Sequence, residues 1–135
     1  MAYEPNLPAA ARRHQAAAKS LDLPMPEGRP DVAGYLYGIA CECALKALMA
    51  RAGLKSTGKR SEDPFFLHFP AIKTALRDSL TGRSKSALLR YALDQSLMQG
   101  WDVAMRYAHG KDIKEASVRL WERQATGMLN AMEEF

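Results

Sequence analysis

The chain has 135 residues, which corresponds to one domain large enough to bury a core without disulfides or metal ions. Its composition, 47% hydrophobic and 25% charged, is typical of a globular protein. No apolar stretch of ~18 residues free of charge is present to span a bilayer, and the N-terminus lacks the order of a secretory signal. We therefore expect residues 1–135 to form a single cytoplasmic domain with no membrane contact.

The positive charge of the chain is concentrated in its middle. Residues 51–90 hold nine Lys or Arg and three acidic residues, a local charge of +6, whereas the other residues hold ten and twelve. Such a segment either binds a phosphate-bearing partner or forms a solvated surface, and both interpretations stay open. The candidate nucleic-acid contacts are Lys55, Lys59, Arg60, Arg83 and Lys85.

Two helices are predicted in the first half of the chain. Asn6 is a plausible cap before Pro8, and the first helix should end near Leu21. Residues 22–30 contain three prolines and a glycine and must form a loop. Asp31 is then the expected N-cap of a long second helix over residues 32–52, which a glycine follows.

The second half predicts a connector and three further helices. Residues 54–70 form the connector, and their aromatic run 65–69 should pack back onto the protein. A short helix is expected over 71–80, a fourth from near Ser84, and a last one over 112–134. The fourth has a core edge and a second apolar edge suited to an oligomer contact, Leu89, Leu93 and Leu97. No segment alternates as a strand does, so the prediction is all-α with about five helices.

The long second helix carries one acid and one amine among apolar residues. Its apolar side chains leave no polar face, so Glu42 and Lys46 are expected to be buried, and a buried charge needs a partner. Three interpretations remain: a Glu42–Lys46 pair that stabilises the helix, a tie from Glu42 to Arg106 or the Tyr107 hydroxyl, and a polar pocket for a nucleotide or RNA phosphate.

Small and sulfur-containing residues on this helix predict packing rather than chemistry. Gly34 and Gly38 are four residues apart on the helix and allow close approach of another helix, and they do not form a phosphate-binding loop. Cys41 and Cys43 point about 200° apart on a helix, which favours buried structural thiols. No His, Cys, Asp or Glu cluster has metal-ligand spacing, so we expect neither a metal nor a cofactor.

The order of these parts resembles the HEPN (higher eukaryotes and prokaryotes nucleotide-binding) domain over most of the chain. The resemblance rests on an Arg-Pro-Asp entry to the second helix, its Gly-Ile-Ala-Cys-Glu-Cys-Ala-Leu-Lys-Ala core, His68 before a short third helix, and Trp101-x4-Arg106-Tyr107. It implies an antiparallel up-and-down helical bundle, commonly dimeric, with a nucleotide- or RNA-linked role. HEPN proteins include RNA-cleaving enzymes of toxin and defence systems and non-catalytic partners of small nucleotidyltransferases.

The ribonuclease branch of that family carries an arginine, four to six residues, then a histidine. None of the three histidines here has that spacing, and the nearest pair, Arg106 and His109, would share one helix face. We therefore expect a non-catalytic interaction module, homodimeric or docked on a nucleotidyltransferase-like partner, in a nucleotide-, RNA- or toxin–antitoxin-type system. The alternative is a metal-independent RNA-cleaving enzyme that uses Arg106 and His109. The candidate binding residues are Glu42, Lys46, Arg106 and Tyr107.

Overall fold

A computed structural model describes residues 3–80 and 86–134, and within them the chain is all-helical, without a strand. The five α-helices are α1 (Leu7–Leu21), α2 (Pro30–Arg51), α3 (Ala71–Ser79), α4 (Ser86–Leu93) and α5 (Glu115–Glu133). Short 3-10 turns lie at Pro64–Phe66, Val103–Tyr107 and Gly110–Asp112. The predicted all-α class and number of helices are confirmed. The predicted start of the fourth helix near Ser84 falls outside the described residues.

The first two helices begin for different local reasons. The Asn6 side chain accepts a hydrogen bond from the Ala9 amide at 3.1 Å, as the predicted N-cap should. The predicted Asp31 N-cap is wrong, because α2 already begins at Pro30, whose fixed φ suits the first helical position. Asp31 lies in the first turn and instead binds Arg29 Nη2 at 2.7 Å.

Helix α2 is the centre of the fold and is covered by α1, α5 and the indole of Trp101. A Cβ at Gly34 would lie 3.0 Å from Val118 Cγ2 on α5, and one at Gly38 would overlap the Trp101 ring. The Trp101 ring stacks on Tyr35 and its Nε1 donates to the Tyr35 carbonyl at 3.2 Å. The predicted close approach of another helix is therefore confirmed at Gly34, whereas at Gly38 the close neighbour is the side chain of Trp101, which lies outside the helices.

The helices do not alternate in direction throughout. Asp22 at the end of α1 accepts from the Tyr37 hydroxyl, which sets α1 antiparallel to α2. Gly34 lies against Val118, and Arg51 donates to the Met132 carbonyl, so α2 and α5 run in the same direction. In the predicted up-and-down bundle, five strictly alternating helices would instead place α5 antiparallel to α2. Helices α3 and α4 have nine and eight residues, which is too short for full return passes.

The fourth helix is shorter than the apolar pattern predicts. It ends at Leu93 because the Asp94 carboxylate accepts from the Ser96 amide and hydroxyl, and Lys73 Nζ donates to the Asp94 and Leu97 carbonyls. Leu97 is consequently buried in the core, whereas Leu93 is 58% exposed and Leu89 is half-buried. Leu97 therefore does not belong to the predicted oligomer edge.

The last helix begins at Glu115 rather than Asp112, because Gly110–Asp112 forms a separate 3-10 turn. The apolar pattern predicts five inward residues on this helix, of which Trp121, Met128 and Met132 are buried. Leu120 is half-buried, and Ile113 is half-buried and lies before the helix begins. Among the described residues, α2 is one helix that is long and apolar enough to cross a membrane, and 72% of its most apolar window is buried inside the fold. A core helix meets the same criterion, so this is weak evidence for a membrane span.

Candidate functional site

The buried carboxylate of Glu42 is held by a lysine and a histidine. Glu42 is only 4% exposed. Its Oε2 accepts from Lys46 Nζ at 2.9 Å, and its Oε1 accepts from His68 Nδ1 at 2.8 Å. His68 comes from the segment before α3, and its side chain remains 46% exposed. Glu42 therefore has the partners that a buried acid needs, but they are Lys46 and His68 and not a residue from the last third of the chain.

The predicted tie from Glu42 to Arg106 or Tyr107 is wrong. Arg106 instead donates from Nη1 to the Tyr35 hydroxyl at 3.4 Å, and Tyr107 is 81% exposed. Tyr35 lies seven residues before Glu42, about two helical turns away, so the 103–107 turn meets α2 near its beginning. Glu42 faces α1 and the 65–70 segment instead.

Two residues of α1 complete the polar surroundings of Glu42. Burial lowers the pKa of His14, the Arg13 guanidinium lowers it further, and the Glu42 carboxylate partly opposes both effects. Burial is also the main cause that raises the pKa of the Cys43 thiol to about 11. Lys46 and His68 thus bind the Glu42 carboxylate directly, His14 lies within reach of its charge, and Arg13 lies within reach of His14. We refer to Arg13, His14, Glu42, Lys46 and His68 as the Glu42 cluster.

The Glu42 carboxylate determines which nitrogen of His68 is available. Because the carboxylate accepts a hydrogen bond, His68 Nδ1 carries the proton, and in the neutral ring Nε2 keeps its lone pair. A half-exposed imidazole oriented by a buried carboxylate is able to transfer protons. Within the described part of the chain, no group of three or more His, Cys, Asp or Glu side chains is arranged to hold a metal ion.

The tie between α2 and the last third of the chain is made by another set of residues. Tyr37 on α2 donates from its hydroxyl to Asp22 Oδ2 at 2.7 Å, and Arg119 on α5 binds the other Asp22 oxygen. Arg119 also contacts Glu122 at 2.8 Å. Burial and these acidic neighbours raise the pKa of Tyr37, so its hydroxyl remains a donor. Arg119 and Glu122 are three residues apart on one helix, but no spacing in the sequence connects them to Asp22 or Tyr37.

Arg106 and His109 lie on separate 3-10 turns, so the predicted shared helix face is wrong. Their side chains already have local contacts. Arg106 lies 5.3 Å from the Tyr107 ring centroid, and His109 Nδ1 accepts from the Lys111 amide at 3.1 Å and caps its turn. The helical geometry on which the pairing depended ends after Tyr107, because Ala108 and His109 have extended backbone with ψ of 162° and 138°.

An open groove lies beside Arg106 and His109, at the end where α2 begins. It consists of two hollows of about 790 and 400 Å³ that share Arg29, Asp31, Gly110 and Ile113 in their lining. We call it the α2 groove; residues 22–35 line one side and residues 105–119 the other. A Cβ at Gly110 would overlap the Asp31 carboxylate, so only glycine allows these two sides to come this close.

The predicted nucleic-acid residues fall partly within the described chain. Lys55, Lys59 and Arg60 are exposed on the connector after α2, whereas Arg83 and Lys85 lie outside the described residues. The connector is organised by the fully buried Asp63, which accepts from Ser56 and from the amides of Thr57, Gly58 and Phe65. The three cations are therefore presented by an ordered loop.

Sequence reasoning missed several residues that the fold uses. His68 and His14 are separated from Glu42 by tens of residues, and nothing in their local pattern connects them to it. Asp63 did carry a signal, since an Asp directly before a proline is a common turn and capping residue.

Comparison with known proteins gives no relative of this chain: no family model matches it, and no curated protein or solved structure is significantly similar to it.

Proposed function

We propose that this chain is a HEPN-like helical interaction module of a nucleotide-related, RNA-related or toxin–antitoxin-type system. The observation that carries the proposal is the α2 groove. It combines exposed apolar side chains with arginines on a scaffold whose core is otherwise closed, a composition enriched at protein interfaces. The resemblance in sequence adds a small nucleotidyltransferase-like protein as the expected partner.

The module is proposed to form a homodimer through α4. Leu93 is 58% exposed and Leu89 is half-buried beside it, which leaves an apolar edge for a second copy. Light scattering of the full chain at tens of micromolar should give twice the monomer mass of 15.0 kDa. Leu93→Glu should shift the mass to the monomer, whereas Val32→Glu, a matched change on another exposed apolar residue, should not. A monomeric wild type would contradict the dimer.

The partner is tested by co-expression with the product of the neighbouring gene. Co-purification in a fixed ratio would support the interaction module, and cross-linking would map the contacting residues. An RNA contact through Lys55, Lys59 and Arg60 would be weak and would weaken further as salt is added, since it depends on charge alone. Failure to form any complex, with itself or with that product, would overturn the proposal.

A second candidate function, metal-independent RNA cleavage, is favoured by the Glu42 cluster rather than by Arg106 and His109. A neutral imidazole there could take the 2′-hydroxyl proton as the 2′-oxygen attacks phosphorus. A protonated one could give a proton to the departing 5′-oxygen. Lys46 is buried against Glu42, so the exposed Arg13 is the cation of the cluster that could pair with the phosphate. The interaction-module proposal expects no such cleavage by the isolated protein.

An RNA assay with paired variants separates these candidates. Structured and single-stranded RNA would be incubated with the wild type, His68→Ala and His109→Ala in the presence of a chelator. No cleavage by the wild type agrees with the module. Cleavage that is lost in His68→Ala but kept in His109→Ala would establish the Glu42 cluster as the active site. The opposite pattern would restore the site first predicted from the sequence.

A further inference from the structure

The α2 groove has a largely apolar floor and exposed apolar side chains along its edge. Pro24, Ile113 and Val118 contribute to the lining of the larger hollow. Three of the seven large apolar side chains exposed in the described chain line this surface: Leu23, Met25 and Val32. Met25 is 62% exposed, and the flexible side chain of methionine adapts readily to the surface of a binding partner. This concentration is typical of a surface that another molecule covers.

The acids of the groove are mostly neutralised within the protein. Asp31 binds Arg29 through two hydrogen bonds of 2.7 and 3.1 Å. Asp22 is occupied by Arg119 and by the Tyr37 hydroxyl. Their carboxylates are therefore not available to attract a basic partner. Glu115 is the remaining acid in the lining, and no ion pair to it occurs among the described residues.

Two cations of the groove have no acidic partner in the described part of the chain. Arg106 reaches only the Tyr35 hydroxyl, at 3.4 Å, and packs on the Tyr107 ring. The side chain of Lys111 is exposed and contacts no carboxylate. The hydrogen bond from Lys111 to His109 comes from the backbone amide and leaves the ammonium group unpaired among the described residues. With one acid against two cations, the unpaired charge on the groove is positive, and His109 lies between the two cations in sequence.

We propose that the α2 groove binds an acidic amphipathic segment of a partner protein, with apolar side chains on the floor and carboxylates on Arg106 and Lys111. This inference rests on the proposed function and specifies the chemistry of the partner. Apolar burial would supply most of the affinity, and charge complementarity would set the preference for acidic over basic sequences. Met25 and Val32 provide exposed apolar surface in the same hollows as the cations, which a purely electrostatic site would not need.

The test uses a fluorescein-labelled amphipathic peptide with Leu and Phe on one face and Glu on the other, and a matched peptide with Lys in place of Glu. Fluorescence polarisation with the full chain should show binding of the acidic peptide roughly tenfold or more tighter than the basic one. Arg106→Glu/Lys111→Glu should reverse that preference. Arg77→Glu/Arg123→Glu, the same charge change at exposed positions outside the groove, should leave it unaltered.

Met25→Ser/Val32→Ser should weaken both peptides, because it removes apolar contact and leaves the charge unchanged. Equal affinity for the two peptides, or no binding of the acidic one, would overturn the inference. It would also be overturned if the Arg106→Glu/Lys111→Glu variant lost the dimer, since a second copy would then occupy the groove. An RNA oligonucleotide whose binding disappears in that variant, without peptide binding, would make the groove a nucleic-acid site.

Failure of this inference can be distinguished from failure of the proposed function. A complex with the neighbouring gene product that survives Arg106→Glu/Lys111→Glu would keep the interaction module and exclude the groove as its surface. Thermal unfolding followed by circular dichroism confirms that each variant is folded, and all of the substituted groove residues are solvent-exposed.

Discussion

At the scale of single residues, two buried carboxylates organise regions that the sequence leaves unconnected. Glu42 joins α2 to the segment before α3 through His68, and Asp63 orders the connector through hydrogen bonds to its amides. Each carboxylate is almost fully enclosed, so each must have partners within the protein. Their contributions to the free energy of unfolding can be measured separately because they have different partners.

Glu42→Ala should lower the free energy of unfolding by about 3 kcal/mol, because it strands the Lys46 ammonium in a buried position. Glu42→Leu/Lys46→Met removes both charges and should recover much of that loss. Urea unfolding of the two variants would measure the difference. Glu62→Ala, at an exposed acid, is the control and should change stability by no more than about 0.5 kcal/mol. A loss equal to that of the control would mean that the pair is not buried.

Asp63 should make the protein sensitive to acid. Burial alone would raise its pKa, but hydrogen bonds from Ser56 and from three amides outweigh burial and lower it. The ionised carboxylate therefore stabilises the fold above the pKa of an unfolded Asp, about 3.9, and this stabilisation is lost as the pH falls through the folded value.

Asp63→Asn should accordingly be less stable at neutral pH, by about 1–3 kcal/mol, and its stability should fall less steeply below about pH 4. Urea unfolding over a pH series checks both expectations. Asp31 and Glu133, whose pKa values are also lowered, are present in both proteins and cancel in the difference. Parallel curves for the wild type and the variant would contradict the assigned role of Asp63.

At the scale of elements, α2 is shaped by what packs against its small residues. Gly38 accommodates the Trp101 ring, and Gly34 accommodates α5. Glycine normally destabilises a helix interior. At these two positions the close packing that glycine permits offsets its low helix propensity. Gly127 on α5 is different, because a Cβ there would meet nothing within 4 Å.

Gly38→Ala should therefore destabilise the protein, by about 1–3 kcal/mol or more, since the added methyl overlaps a buried indole. Gly127→Ala is the matched control and should stabilise α5 by roughly 0.5–1 kcal/mol. Thermal unfolding of the two variants gives opposite shifts if the packing is correct. A neutral Gly38→Ala would show that Trp101 does not occupy this position.

At the scale of the whole molecule, the fold has a closed core and a less enclosed periphery. Helix α2 lies between α1 and α5, and thirteen of its residues are buried. Helices α3 and α4 bury only Ile72, Leu76 and Leu88 along their described lengths. The cluster of Asp22, Tyr37 and Arg119 joins the three core helices at one end.

Hydrogen exchange should reflect this division. Amides of α2 and the facing turns of α5 should exchange slowest, at rates set by global unfolding, and amides of α3 and α4 should exchange faster through local opening. Mass spectrometry of the native protein would resolve the segments. Tyr37→Phe should speed exchange at the ends of α1 and α2 that meet at Asp22, because it removes the donor to that carboxylate. Uniform protection across all five helices would contradict the division.

The sequence by itself determined the helical class, the start of α1, the burial of α2 and the close approach of a helix at Gly34. These features depend on local pattern: prolines, caps and apolar periodicity act over a few residues. The burial of Glu42 and its need for a partner followed from the same pattern. The nucleic-acid role of Lys55, Lys59 and Arg60 stays a prediction, because exposure of a charge is compatible with either interpretation.

Only the tertiary structure decided which distant side chains meet. Glu42 finds His68 rather than Arg106, and Arg119 rather than Glu42 ties the last helix to the core. Such pairings depend on how helices separated by long connectors are placed relative to one another. The periodicity of a single sequence carries no information about that placement. The end of α4 at Leu93 also depends on tertiary contacts. Lys73 binds the Leu97 carbonyl and the Leu97 side chain is buried in the core, so Leu97 does not continue the helix that the apolar pattern predicts.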